Sequence, residues 1–209
     1  MRITIFGATG RTGLHIVEQA LERGYEVTAF VRNPDRLGEF RSQVDVVQGD
    51  ILEKEPVSRA VAGADALISV LGPTQNEPTF EVSQGTRHIL DGMQQHGVRR
   101  LIVSAGAGVG DPNDEPKLFN KIINILLKLF SRYVYEDMAR TVEIVRNSNV
   151  DWTVVRVPML SDEPAKGDVQ VGWVGKGMGS RITRADMAGF MLDQAQSNAY
   201  VHRAPAISN

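Results

Sequence analysis

A short apolar run, Ile3 with Ile5 and Phe6, stops at three glycines spaced by three, Gly7, Gly10 and Gly13. Behind them Leu14, Ile16, Val17, Ala20 and Leu21 recur at helical spacing. Strand, tight turn and helix in that order form the start of a dinucleotide-binding α/β fold. Glycine suits such a turn because a side chain there blocks the phosphates or strains the backbone. The turn segment Gly7, Thr9, Gly10, Arg11, Thr12 and Gly13 is therefore the candidate pyrophosphate cradle, with backbone N–H groups at a helix N-terminus facing the anion. The spacing is G-x-x-G-x-x-G rather than the tighter G-x-G-x-x-G, so the strand-to-helix context carries the assignment.

The rest of the chain continues the alternation. Strands are expected at 2–6, 26–31, 44–48, 66–71, 100–104 and 152–157. Helices are expected near 12–23, 54–62, 80–96 and 134–147. The strand segments are rich in Val, Ile, Leu and Phe, as strands covered on both faces are. The fold class is α/β, a Rossmann-like doubly wound parallel sheet in which ligands bind beyond the carboxyl ends of the strands. We expect one domain over 1–209, with a small glycine-rich substrate-side cap from about 158 to 182. A helix begins near Thr183-Arg-Ala-Asp186, which has the Ser/Thr-x-x-acidic form of a helix start.

Composition narrows the function classes. The net charge of −2 over 209 residues gives no nucleic-acid footprint. With no cysteine, disulfides, thiolate metal sites and a cysteine nucleophile are excluded. The four histidines, His15, His88, His96 and His202, lack metal-ligand spacing. The chain enters its first strand at once, and its longest apolar stretch is too short to span a bilayer, so a cytoplasmic protein without a membrane span is expected.

Cofactor type is read at the end of the second strand. An NAD site places an acid there for the ribose 2′-OH. This chain has Arg32 at that place and Arg36 one turn later, and two guanidiniums suit a 2′-phosphate. NADP(H) is the expected cofactor. Asp50, with Ile51 after it, ends the third strand where the adenine edge lies; Asp50 reads equally as the N-cap of the next helix. The acidic pairs Asp114-Glu115 and Asp162-Glu163 precede prolines and read as loop ends.

Together, Gly7-Ala-Thr-Gly-Arg-Thr-Gly13, Gly24-Tyr-Glu-Val-Thr28, Val31-Arg32, Gly49-Asp50 and Val70-Leu-Gly72 resemble the atypical short-chain dehydrogenases of the NmrA-like group. Within that group the chain looks most like the flavin reductase/biliverdin-IXβ reductase family. The likeness runs on through Ser83-Gln-Gly-Thr-Arg-His-Ile89, His96-Gly-Val98, Asp162-Glu-Pro164 and Gly175-Lys-Gly177 to Ser180-Arg-Ile-Thr183, Asp186 and Phe190-Met-Leu192. The resemblance implies an NADPH-dependent reductase of planar substrates such as flavins or linear tetrapyrroles. It implies that Leu71, Gly72, Pro73, Ser104, Ala105, Pro158 and Met159 line the nicotinamide. The same group includes non-catalytic NADP(H)-sensing regulatory proteins, which is the alternative reading. A sugar-nucleotide epimerase is a third and weaker one.

Two residues are candidates for catalysis. Ser104 ends the fifth strand, where a hydroxyl can face nicotinamide or substrate or simply bond to backbone. Tyr135 stands in the helix where short-chain dehydrogenases carry a Tyr-x-x-x-Lys pair, whose lysine lowers the phenol pKa. Four residues after Tyr135 stands Ala139, and four after Tyr133 stands Asp137. Carbonyl–alcohol chemistry is therefore not expected, whereas hydride transfer between stacked rings fits. The helix expected over 117–130 has two apolar stripes where one suffices to pack on a sheet. Extra core burial, a pocket wall, a homo-oligomer surface or a membrane-leaning patch would each use the second.

Overall fold

In the computed structural model, residues 1–115 and 130–209 are described. The helix expected over 117–130 lies outside them except for Phe130. The elements run β1 (Arg2–Phe6), α1 (Arg11–Glu22), β2 (Glu26–Val31), β3 (Asp45–Gln48), α2 (Lys54–Val61), β4 (Ala66–Ser69), α3 (Glu81–His96) and β5 (Arg100–Gly106). Then follow α4 (Arg132–Arg146), β6 (Asp151–Val157), β7 (Met159–Ser161), β8 (Gln170–Gly172), β9 (Arg181–Thr183), α5 (Arg184–Gln196) and β10 (Ala206–Ser208). A 3₁₀ segment at Pro34–Ser42, kinked at Gly38, bridges β2 and β3.

The main sheet has the order β3-β2-β1-β4-β5-β6-β10-β8. All its pairings are parallel except β8 against β10. The order reverses between β1 and β4, which opens a crevice at their carboxyl ends. β7 and β9 form a separate parallel pair. Of the strands carried by the expected cap, β8 therefore joins the main sheet and β7 joins β9 beside it.

β1 and β4 read as unbroken apolar runs because both faces are covered. Ile3, Ile5, Ala66 and Ile68 pack under α1 and α5, while Phe6, Leu67 and Leu101 belong to the second core under α2, α3 and α4. α1 and α5 lie side by side on the first face. Thr183 caps α5 by accepting the Asp186 N–H, as the start motif requires.

Candidate dinucleotide-binding cleft

The parallel register aligns the strand ends. Phe6 stands beside Ser69, Ser69 beside Val103, and Ser104 beside Val155. The glycine turn after β1, Leu71 to Pro73 after β4, Ser104 and Ala105 in β5, and Pro158 and Met159 after β6 therefore follow one another along one edge.

The glycine turn is built by close approach. Gly7 has φ +87°, and a Cβ there would lie 3.1 Å from the Val70 carbonyl carbon and oxygen. A Cβ on Gly13 would fall 2.0 Å from the Gly7 oxygen, inside any contact distance. Gly10 donates its N–H to that same oxygen at 3.0 Å, and Leu14 closes the first helical bond to Gly10 at 2.9 Å. Gly10 is the N-cap of α1 and offers no side-chain acceptor, and the first turn holds no acid. The first-turn amides thus lack the local anion that usually satisfies a helix start. Backbone this close with amides this open fits a pyrophosphate. Thr9 and Gly10 stand at the turn's surface side, while Thr12 is buried beneath it.

Arg32 and Arg36 are both exposed just past β2. Neither side chain makes an ion pair among the described residues, whereas the neighbouring Asp35 is taken by Arg41. Asn33 caps the 3₁₀ segment through the Asp35 N–H at 3.0 Å and fixes the backbone between the two arginines. Asp50 is not the N-cap of α2; that position is Glu53. Asp50 closes the preceding turn by accepting the Leu52 N–H at 2.9 Å, while Glu53 reaches back to the Asp50 N–H at 3.1 Å. Ile51 is pinned to α3: its carbonyl meets His88 Nδ1 at 3.0 Å, and its side chain fills the space a Cβ on Gly85 would need.

At the other end of the cleft, Leu71 and Pro73 are half-buried and Gly72 is exposed. Ser104 and Ala105 are buried in β5, and the Ser104 hydroxyl has no hydrogen-bond partner among the described residues. Pro158 is half-buried, and Met159 is 60% exposed despite its apolar side chain.

In α4, Tyr135 is half-buried and engaged within the fold, and Ala139 holds the position one turn on. Asp137 has a task of its own. It is buried, and its two carboxylate oxygens accept the Val82 and Ser83 N–H groups at 3.1 and 2.9 Å, capping α3 from outside. Asn76, in the loop before α3, returns the service by accepting the Tyr133 N–H of α4 at 3.0 Å. Between them Phe80 takes φ 51°, a left-handed backbone unusual for a bulky residue, with the Arg140 guanidinium 3.7 Å over its ring. Nothing in the spacing of the sequence marks Asn76 or Phe80.

The acidic pairs are more than loop ends. Asp114 meets the fully buried Arg156 of β6 in a two-pronged ion pair at 2.6 and 2.8 Å and also accepts the Asp111 and Val174 N–H groups. Burial opposes ionisation of Asp114. The Arg156 contact and the backbone donors outweigh it, and the carboxyl is held below its ordinary range. Asp162, after β7, pairs one oxygen with Arg11 at 2.8 Å and the other with Arg184 at 2.6 Å. These partners lie far along the chain, so dipeptide context could not reveal them. A groove of about 740 Å³ between α1 and α5, lined by His15, Glu18, Phe190 and Asp193, holds none of the expected cofactor residues.

A family profile described as NAD(P)H-binding matches residues 7–198. An uncharacterized chloroplastic protein of Arabidopsis thaliana is 27% identical over 183 residues, 80% of this chain and 62% of that one. A 3-beta-hydroxysteroid dehydrogenase of Mycolicibacterium neoaurum is 34% identical over 120 residues, 52% of this chain and 32% of its own. The chain thus spans under two thirds of the length of either curated relative. Among solved structures, ChuY, an anaerobillin reductase from Escherichia coli O157:H7, superposes with TM-score 0.78 at 22% identity, covering 100% of this chain and 97% of that one. At that identity the likeness speaks for the fold alone.

Proposed function

The chain belongs to the NAD(P)H-binding family, and from that premise we propose that it is an NADPH-dependent reductase delivering hydride to a planar conjugated acceptor, a flavin or a linear tetrapyrrole. The make-up of α4 carries this reading. The residue one turn beyond Tyr135 is Ala139, and the residue one turn beyond Tyr133 is Asp137, whose carboxylate is spent on α3. No lysine stands in Arg132–Arg146 to lower a phenol pKa. Acceptors that take hydride across stacked rings depend on orientation more than on such a pair.

Each part of the cleft then has a role. The glycine turn and the α1 amides hold the pyrophosphate. Arg32 and Arg36 hold the 2′-phosphate, which favours NADPH over NADH. When bound, the nicotinamide supplies the hydride. Leu71, Gly72, Pro73, Ala105 and Pro158 supply a mostly apolar edge for the ring. The exposed Met159 adds a polarizable contact for an aromatic ring. Ser104 offers a hydroxyl with no competing partner among the described residues. Tyr135 lies on α4, which packs on β5 and β6. The solved structure named above, described as an anaerobillin reductase, shares the fold.

The test is oxidation of NADPH, beside NADH, against FMN, riboflavin, biliverdin and quinones. Turnover with a flavin or bilin and a preference for NADPH are expected. Tight NADPH binding with no turnover across the panel would replace the reductase with an NADP(H)-sensing regulatory protein.

A further inference from the structure

We infer that Asp162 is an internal counter-anion of the cofactor cleft: it occupies Arg11 and must surrender that arginine to the incoming pyrophosphate, which weakens cofactor binding and eases its release. The inference rests on the reading that the glycine turn takes the pyrophosphate, and on no choice of hydride acceptor. Arg11 is the first residue of α1, directly after the uncapped Gly10. Arg184 is the first residue of α5, and these two helices pack side by side. Asp162 reaches from the end of β7 to the start of both helices and gives one carboxylate oxygen to each arginine.

The two contacts differ in permanence. The Arg184 side chain is only 9% exposed, against 59% for Asp162, so the bond is sheltered on the arginine side and anchors the carboxylate. The Arg11 side chain is 72% exposed, and an exposed pair of this kind is weak and readily exchanged. α5 supplies its own helix-start acceptors in Thr183 and Asp186, whereas α1 supplies none. The anion nearest the α1 start is thus brought by another element, and it engages the one cation on the turn. A pyrophosphate is the stronger anion, and Arg can bind it bidentately. Its arrival at the α1 amides frees Arg11 from Asp162, while Arg184 keeps the carboxylate from following. Arg11, Arg184 and Asp162 sum to one positive charge; neutralising the acid leaves two.

Asp162→Asn is the decisive variant because asparagine keeps an acceptor oxygen for Arg184. Dissociation constants for NADPH and NADH are measured with thermal unfolding recorded alongside. Asp162→Asn is expected to tighten both cofactors by about three- to tenfold, equally, since both carry the pyrophosphate. The melting temperature should hardly move. Arg11→Gln should weaken both, and in that background Asp162→Asn should lose most of its effect. Unchanged or weaker binding in Asp162→Asn, with wild type binding normally, overturns the counter-anion role alone. Tightening confined to NADPH also overturns it, because it would tie the acid to the 2′-phosphate. Failure of both cofactors to bind wild type removes the pyrophosphate reading and this inference together.

Discussion

Arg32 and Arg36 stand at the carboxyl end of β2 without ionic partners among the described residues, while Arg41 close by is neutralised by Asp35. A charge-assisted bond to a 2′-phosphate contributes roughly 1.5–3 kcal/mol. Arg32→Ala should therefore weaken NADPH binding about ten- to a hundredfold and leave NADH nearly unchanged, as titration with each cofactor will read. Equal loss for both would remove the 2′-phosphate assignment. The place of these arginines, like that of the three glycines, is legible in the sequence because it is local: a strand ends, and exposed residues follow it. The acids were not. Asp114 meets Arg156 across 42 residues, Asp137 caps Ser83 across 54, and Asp162 reaches Arg184 across 22. A carboxylate before a proline, or at helical spacing from a tyrosine, carries no mark of a partner that only the folded sheet brings near.

Helices α3 and α4 exchange caps, Asp137 serving the start of α3 and Asn76 the start of α4. Each helix therefore begins correctly only beside the other. Asp137→Ala leaves two first-turn amides without acceptors and should cost about 2–3 kcal/mol in urea unfolding. Asp137→Asn, which keeps one acceptor oxygen, should lose about half as much. A loss under about 0.5 kcal/mol for the alanine variant would show that water replaces the carboxylate. The long elements were readable because their periods repeat. β2 falls at 26–31 as expected, and α3 at Glu81–His96 buries Val82, Thr86, Ile89 and Met93 on one face. The three-residue strands β7, β8, β9 and β10 are too short to show a period. Their place is set by what they pair with.

Across the whole molecule, one ion pair binds distant stretches together. Arg156, fully buried in β6, holds Asp114 and also the Val109 and Ala204 carbonyls, while Asp114 holds Val174. Asp186 does similar work at the other end. Its burial opposes ionisation, but the Lys166 and Gly167 N–H groups and the Thr183 hydroxyl hold its carboxyl below the ordinary range. Both acids are thus easier to ionise folded than unfolded. Their stabilisation is complete above the ordinary carboxyl value of 3.8 and declines as pH falls below it towards the lower folded values. The urea midpoint should be flat near neutrality and drop in acid. Asp114→Ala, which strands a buried guanidinium, should cost about 3–5 kcal/mol at neutral pH and make the acid decline shallower. An unchanged slope would assign the acid sensitivity elsewhere. The position of β10 bears on how the protein is made. Ala206–Ser208 lies inside the sheet between β6 and β8, not at its margin. During synthesis the strands that precede it in the chain leave the ribosome first, yet β8 has no neighbour in the sheet until β10 emerges. The newly made chain must keep that gap open until β10 has left the ribosome, exposed meanwhile to whatever other strands are at hand.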